Sequence, residues 1–273
     1  MLGKLIKHEF RATGRILLPL LGAELLLSVL AGFSVRGLDR VENMGVLGVM
    51  YVTTLVVFFL GLFALSVVAF VLMIQRFYKN LLRDEGYLAM TLPVSVDEQL
   101  FAKLIVSFVW FAAVGLLSIV SILTVTSIGA RFGGVVNVDI GEIRDAVQSV
   151  GGEIGGGNLL LFFLELLLMG FLGSCATCLR CYSALAIGHS AADHKMLLSF
   201  VAYIVIGIAL SVVRNSILIG LLPSIDPGAI LAGMSSALQF HSIVFTGILV
   251  AALHCALFYF VTRWFLKNKL NLA

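Results

Sequence analysis

Six apolar stretches, at about 16–33, 46–74, 104–128, 159–179, 197–221 and 242–265, alternate with shorter polar segments along the chain. Each reaches the roughly 18 residues that mark a helix able to span a bilayer core. The second is long enough to tilt or to project beyond it. Lipid offers no hydrogen-bond partner to a backbone, so apolar segments of this length fold as helices. The pattern predicts an all-α integral membrane protein, residues 1–273 forming a single transmembrane domain of six helices with no internal repeat. The basic N-terminus ahead of an apolar run has the outline of a signal peptide. However, the run from Ile16 to Phe33 is long enough to span and five more follow, so it reads as an uncleaved first helix.

The connections carry patterns of their own. In residues 1–15, Leu2, Leu5, Ile6 and Phe10 recur at helical spacing, and Lys4, Lys7, His8, Arg11 and Arg15 supply charge to the rest of the segment. Such a segment suits an amphipathic helix on the membrane surface, its cations Lys4, Lys7, Arg11 and Arg15 near anionic lipid headgroups. The same charges also serve to fix topology. Residues 129–157 are Gly-rich at both ends, with Asp139 and Glu142 at capping-box spacing and an apolar stripe through Ile140, Ile143, Val147 and Val150. This loop is expected to rest on the membrane surface or to cap the bundle. Residues 222–241 hold Pro223, Asp226, Pro227 and Gly228 around an apolar middle without Lys or Arg, which suggests a re-entrant or interfacial segment before helix six.

Composition agrees with a lipid solvent. The chain is 60% hydrophobic and 12% charged, with a mean hydropathy of +1.10. Soluble domains carry about 25% charged residues. The net charge of +3 is spread over helix ends and not gathered in a patch, so nucleic acid is not an expected partner. Placing Lys4, Lys7, Arg11, Arg15, Arg76, Lys79, Arg83, Lys103, Arg180, Lys195, Arg263, Lys267 and Lys269 inside leaves only Arg36, Arg40, Arg131, Arg144 and Arg214 outside. The positive-inside rule then predicts both termini in the cytoplasm, in a multi-pass protein of the cell membrane.

Candidate chemistry is sparse. Cys175, Cys178 and Cys181 lie along one apolar helix and Cys255 in another, which fits small residues at helix contacts. His189, Asp193 and His194 lack the ligand spacing of a zinc site, and no metal is expected. Gly188-x-Ser190-x-Ala192 lacks the strand–turn–helix setting of a nucleophile elbow. Glu24, Glu165, Arg214 and His254 fall well inside predicted helices, where ionisable groups pair with one another or line a path. At about 1.5 Å per residue, Glu165 and Arg214 both lie roughly 10 Å from the outer end of their helices, which suggests an ion pair. Glu24 and His254 sit nearer mid-membrane, where they meet each other or border a cavity.

The segment 76–103, RFYKNLLRDEGYLAMTLPVSVDEQLFAK, is different in kind. Burying its central charges would cost about 2.5–3.5 kcal/mol each, so it belongs in water. Leu81, Leu82, Tyr87, Leu88, Met90 and Leu92 give it an apolar pattern, Pro93 ends a first helical stretch, and Ser95 with Glu98 forms a capping box leading into helix three. A short charged helix with an exposed apolar edge is a surface for a protein partner.

Asp84-Glu85-Gly86-Tyr87-Leu88 followed by Thr91-Leu92-Pro93-Val94-Ser95 resembles the loop between helices two and three of ABC-2-type transporter permeases, the membrane subunits of ABC exporters. The basic amphipathic N-terminus, the six-helix plan and the re-entrant segment extend the resemblance over most of the chain. It implies that Asp84, Glu85, Gly86, Tyr87, Leu88, Thr91, Leu92 and Pro93 form a coupling helix that docks a cytosolic ABC ATPase. It also implies a second permease copy or a related permease as partner, and a cargo that is a lipid, peptide or hydrophobic drug. The chain has no G-x-x-x-x-G-K-[ST] segment, so ATP and Mg are expected on the partner ATPase, and none on this non-catalytic subunit. A secondary transporter or channel would show inverted repeats or clustered midplane charge. A membrane enzyme would show H-E-x-x-H or paired membrane aspartates, and neither occurs. A non-transporting membrane regulator remains compatible with the pattern.

Overall fold

The computed structural model describes residues 2–38, 45–82, 94–130, 156–191, 194–221 and 235–268, with 145, 148 and 152. The regular structure of these stretches is helical: α1 (Leu2–Leu38), α2 (Val46–Leu82), α3 (Val96–Ala130), α4 (Gly156–Gly188), α5 (Lys195–Leu221) and α6 (Ser236–Asn268). All six are long and apolar enough to cross a membrane. Within their apolar windows only 6–28% of residues are buried in the protein. Leu26, Phe63, Leu160, Phe200 and Leu253 are all well exposed. Apolar area left in water costs about 25 cal/mol per Å², and lipid removes that cost. The chain therefore has the make-up of a multi-pass membrane protein.

The helices run past the apolar stretches that predict them. α2 continues to Leu82 and α3 begins at Val96, so much of 76–103 is helix and the connection shrinks to 83–95. Lys79 in the last turn of α2, Lys267 in that of α6, and Asp97 and Glu98 in the first turn of α3 each suit the local end of the helix dipole. Residues 2–15 are not a separate element but the first turns of α1, which continues through Pro19. Ser236–His241, expected in a re-entrant segment, are the first turns of α6. The rest of 222–241 and most of 129–157, including the Asp139–Glu142 pair, lie outside the described residues.

The chain divides into two compact units, Leu2–Met73 with Ile105–Gln148, and Ile74–Leu104 with Ser149–Ala273. In the N-terminal unit Leu17, Leu65, Ala69, Met73, Val106, Trp110 and Val114 form a buried cluster, with Ile6 and Phe10 against it. Trp110 Nε1 donates to Thr13 Oγ1 at 2.8 Å, and Thr13 in turn donates to Glu9 O at 2.8 Å. The Phe10 and Trp110 rings lie 5.9 Å apart. The apolar stripe of the N-terminal segment thus faces protein, while Lys4, Lys7, Arg11 and Arg15 are exposed. Gly32 meets Ile128 and Gly129 meets Val35, as small residues do where membrane helices approach closely.

In the C-terminal unit α4 packs against both α5 and α6. Gly247 touches Met169 Sδ, and Cys255 Sγ donates to Leu172 O at 3.1 Å. Cys175, Cys178 and Cys181 are buried free thiols on α4. They serve as small packing residues, as their apolar setting suggests.

Candidate functional site

The end of α2 and the start of α3 are the two feet of the 83–93 segment, and both are pinned within the C-terminal unit. On α2, Phe77 stacks on Tyr182 of α4, the rings 3.9 Å apart and 7° from parallel. Tyr78 sets its edge against His189 at 5.3 Å. Leu81 and Leu82 are buried. Phe77 and Tyr182 are both fully enclosed, so the stack packs the end of α2 tightly against α4.

The α3 foot is fixed by its cap and by charge. Glu98 N donates to Ser95 Oγ at 3.1 Å, and Ser95 N donates to Glu98 Oε2 at 3.2 Å. This is the reciprocal capping box that the sequence predicts, satisfying two backbone donors at a helix start. Asp97, between them, accepts from Tyr259 OH at 2.6 Å. Its Oδ1 lies 2.9 Å from Arg263 Nε, a charge contact off the line of the N–H bond, and its Oδ2 lies 4.0 Å from Lys267 Nζ. Tyr259, Arg263 and Lys267 recur every four residues and so share one face of α6. Lys103, almost fully buried, joins the two feet by donating to Arg76 O at 3.4 Å.

The turn between α4 and α5 completes this end of the unit. His189 is buried, with Nδ1 3.0 Å from Leu185 O. The carbonyl requires the proton on Nδ1. Burial pulls the imidazole below its ordinary value of 6.5, more than the Leu185 carbonyl raises it. A side chain on Gly188 would run into the backbone of Ser199. His194 takes a left-handed φ of 52°, uncommon outside glycine, where the chain turns into α5.

Among the described residues no three His, Cys, Asp or Glu side chains gather to hold a metal ion. Asp97 and its cations are partly exposed, so their value lies in register more than in stability. Asp84, Glu85, Gly86, Tyr87, Leu88, Thr91, Leu92 and Pro93 lie outside the described residues.

The ionisable groups inside the helices fall out differently from the depth argument. Glu165 does not take Arg214. Its Oε2 is 2.7 Å from Nδ1 of His241, in the early turns of α6, and Arg214 is exposed. His254 is half-buried, and its Nδ1 lies 2.7 Å from Val250 O of its own helix. Glu24 belongs to the N-terminal unit, where it is 3% exposed with Oε1 unpartnered. Arg180, one of the inner charges of the topology count, also makes a contact within the unit. Its guanidinium lies over the Tyr203 ring at 4.5 Å, with Gly207 giving it room.

Comparison of the chain with protein-family models, with curated proteins and with solved structures finds no match. The functional reading therefore stands on this geometry and on the sequence.

Proposed function

We propose that this chain is the membrane-spanning subunit of an ATP-binding-cassette exporter of the ABC-2 type. The observation that carries the reading is the double anchoring of the 83–93 segment, by Phe77 on Tyr182 and by Asp97 on Tyr259 and Arg263. A loop that only joins two helices has no need of such feet. One that transmits force does, because displacement at its tip must reach α4 and α6 without being lost in side-chain motion.

In this reading Asp84, Glu85 and Tyr87 dock a cytosolic ATPase, and ATP-driven closure of that partner shifts the two feet together. ATP and Mg belong to the partner. The charge excess that includes Arg76, Lys79, Lys103, Arg180, Lys195, Arg263 and Lys267 supports a cytoplasmic position for this end, with both termini inside and the protein in the cell membrane. The apolar character of the helices favours an amphipathic or hydrophobic cargo. A second copy of the chain, or a related permease, completes the path.

The test is co-purification with an ATPase bearing a phosphate loop, followed by hydrolysis assays. Glu85→Ala and Tyr87→Ala are expected to weaken the complex. Asp97→Asn with Tyr259→Phe is expected to keep the complex and lower substrate-stimulated hydrolysis. The proposal is lost if the purified chain moves solute with no partner, or if residues 84–95 are labelled from outside the cell.

A further inference from the structure

The inward stripe of α1 runs through Thr13, Leu17, Glu24, Ser28 and Ala31, all buried. That of α3 runs through Trp110, Val114, Ser121 and Ile128. Two contacts, Trp110 with Thr13 and Ile128 with Gly32, tie α1 and α3 in parallel register. Between those ties Ser121 falls level with Glu24. On α2, Gly61 faces the same level, and a Cβ there would strike Glu24 Oε2.

Two polar groups thus fall at one level of the unit's interior, with no hydrogen bond between them. Glu24 Oε1 and Ser121 Oγ are both buried, and both lack a hydrogen-bond partner among the described residues. Ser118, Thr124 and Thr126 each donate to an α3 carbonyl one turn back, and Ser121 does not. Its hydroxyl is free to serve something else.

We propose that Glu24 and Ser121 form a proton-binding site within the N-terminal unit, Glu24 holding the proton as a carboxylic acid and Ser121, which is not bonded to it in this structure, turning to it as hydrogen-bond partner once the proton is held. An ionised carboxylate in this layer would need a cation beside it. Among the described residues of α1, α2 and α3, the nearest titratable groups along each helix are Arg15 and Arg36 on α1, Tyr51 and Arg76 on α2, and Lys103 on α3. Each is roughly 13 Å or more away along its helix at 1.5 Å per residue. One carboxylate and one hydroxyl are too few oxygens for a dehydrated divalent ion, which takes six or more. A proton needs only one oxygen to hold it and one to accept its hydrogen bond. The inference does not rest on the exporter reading, and a solitary carrier or a regulator would hold the same site.

Infrared spectroscopy of the purified chain in lipid vesicles tests it, because the C=O stretch of a protonated carboxyl stands apart from carboxylate bands. Expected at neutral pH is such a band in the wild type, absent from Glu24→Gln and moved to higher frequency in Ser121→Ala. A wild type without the band, or a band that survives Glu24→Gln, overturns the proposal. If Glu24→Gln does not fold, Ser121→Ala decides alone: a moved band supports the pair and an unmoved one overturns it.

Discussion

In the N-terminal unit the inward stripes of α1, α2 and α3 close on apolar and small side chains around Trp110, and the deep acid Glu24 has no cation paired with it among the described residues. In the C-terminal unit several polar side chains contact one another across helices: Glu165 with His241, Asp97 with Tyr259 and Arg263, Arg180 with Tyr203. Neither unit can draw on the hydrophobic effect inside lipid, where tails are as apolar as leucine. The first answers mainly with shape, the Trp110–Thr13 bond apart, and the second adds more directional contacts. Shape gives tight packing that tolerates little change in volume. Directional contacts set register at chosen points, and one of them, Asp97 with Tyr259 and Arg263, lies where the 83–93 segment is attached.

The contrast can be broken by substitution. Trp110→Ala removes the ring at the centre of the N-terminal cluster and its bond to Thr13, and is expected to cost about 3–5 kcal/mol. Thermal unfolding in vesicles reads the loss. If the N-terminal unit is held by shape, Trp110→Phe recovers most of it.

Gly188→Ala is expected to cost about 1–3 kcal/mol, since the new methyl meets the Ser199 backbone and no side chain can swing aside. Gly61→Ala, which meets only the carboxyl end of Glu24, is expected to cost about 1 kcal/mol, toward the low end of overpacking. That cost should vanish when Glu24→Ala is already present. A double-mutant cycle that finds the two substitutions additive would remove the contact.

Glu165→Gln and His241→Gln should be non-additive by about 1 kcal/mol, the coupling expected of a partly exposed pair. The same cycle on Glu165 and Arg214 should show none. The smallest effect concerns His189. Its folded form resists protonation, so the unfolded chain takes up the proton first as pH falls below about 6.5. Its contribution to stability is complete above that pH and is lost as pH falls toward the lower folded value. Melting temperatures at pH 7.5 and 5.5 should therefore differ more in the wild type than in His189→Gln.

The six spans were legible because length and hydropathy alone decide whether a segment crosses lipid. The Ser95–Glu98 box was legible because its chemistry is local. The partner of Glu165 was not. Depth along a helix says which residues share a level but not which helices are neighbours, and reading His241 as part of a connection removed it from the candidates. The N-terminal segment shows a second limit. Its periodicity predicts a helix with an apolar face, yet the same stripe fits lipid or protein, and only the ring contact of Phe10 with Trp110 distinguishes them. The Asp97–Tyr259–Arg263 cluster left a trace in the spacing of Tyr259, Arg263 and Lys267, but their acid lies 162 positions from Tyr259 in the chain.

The contact between Gly61 and Glu24 also bears on descent. A side chain at position 61 and a long acid at position 24 compete for one volume, so lineages that gain alanine or serine at the first should shorten or lose the acid at the second. A collection of related chains in which these two columns vary independently would show that the helices of this unit have drifted apart in the course of divergence.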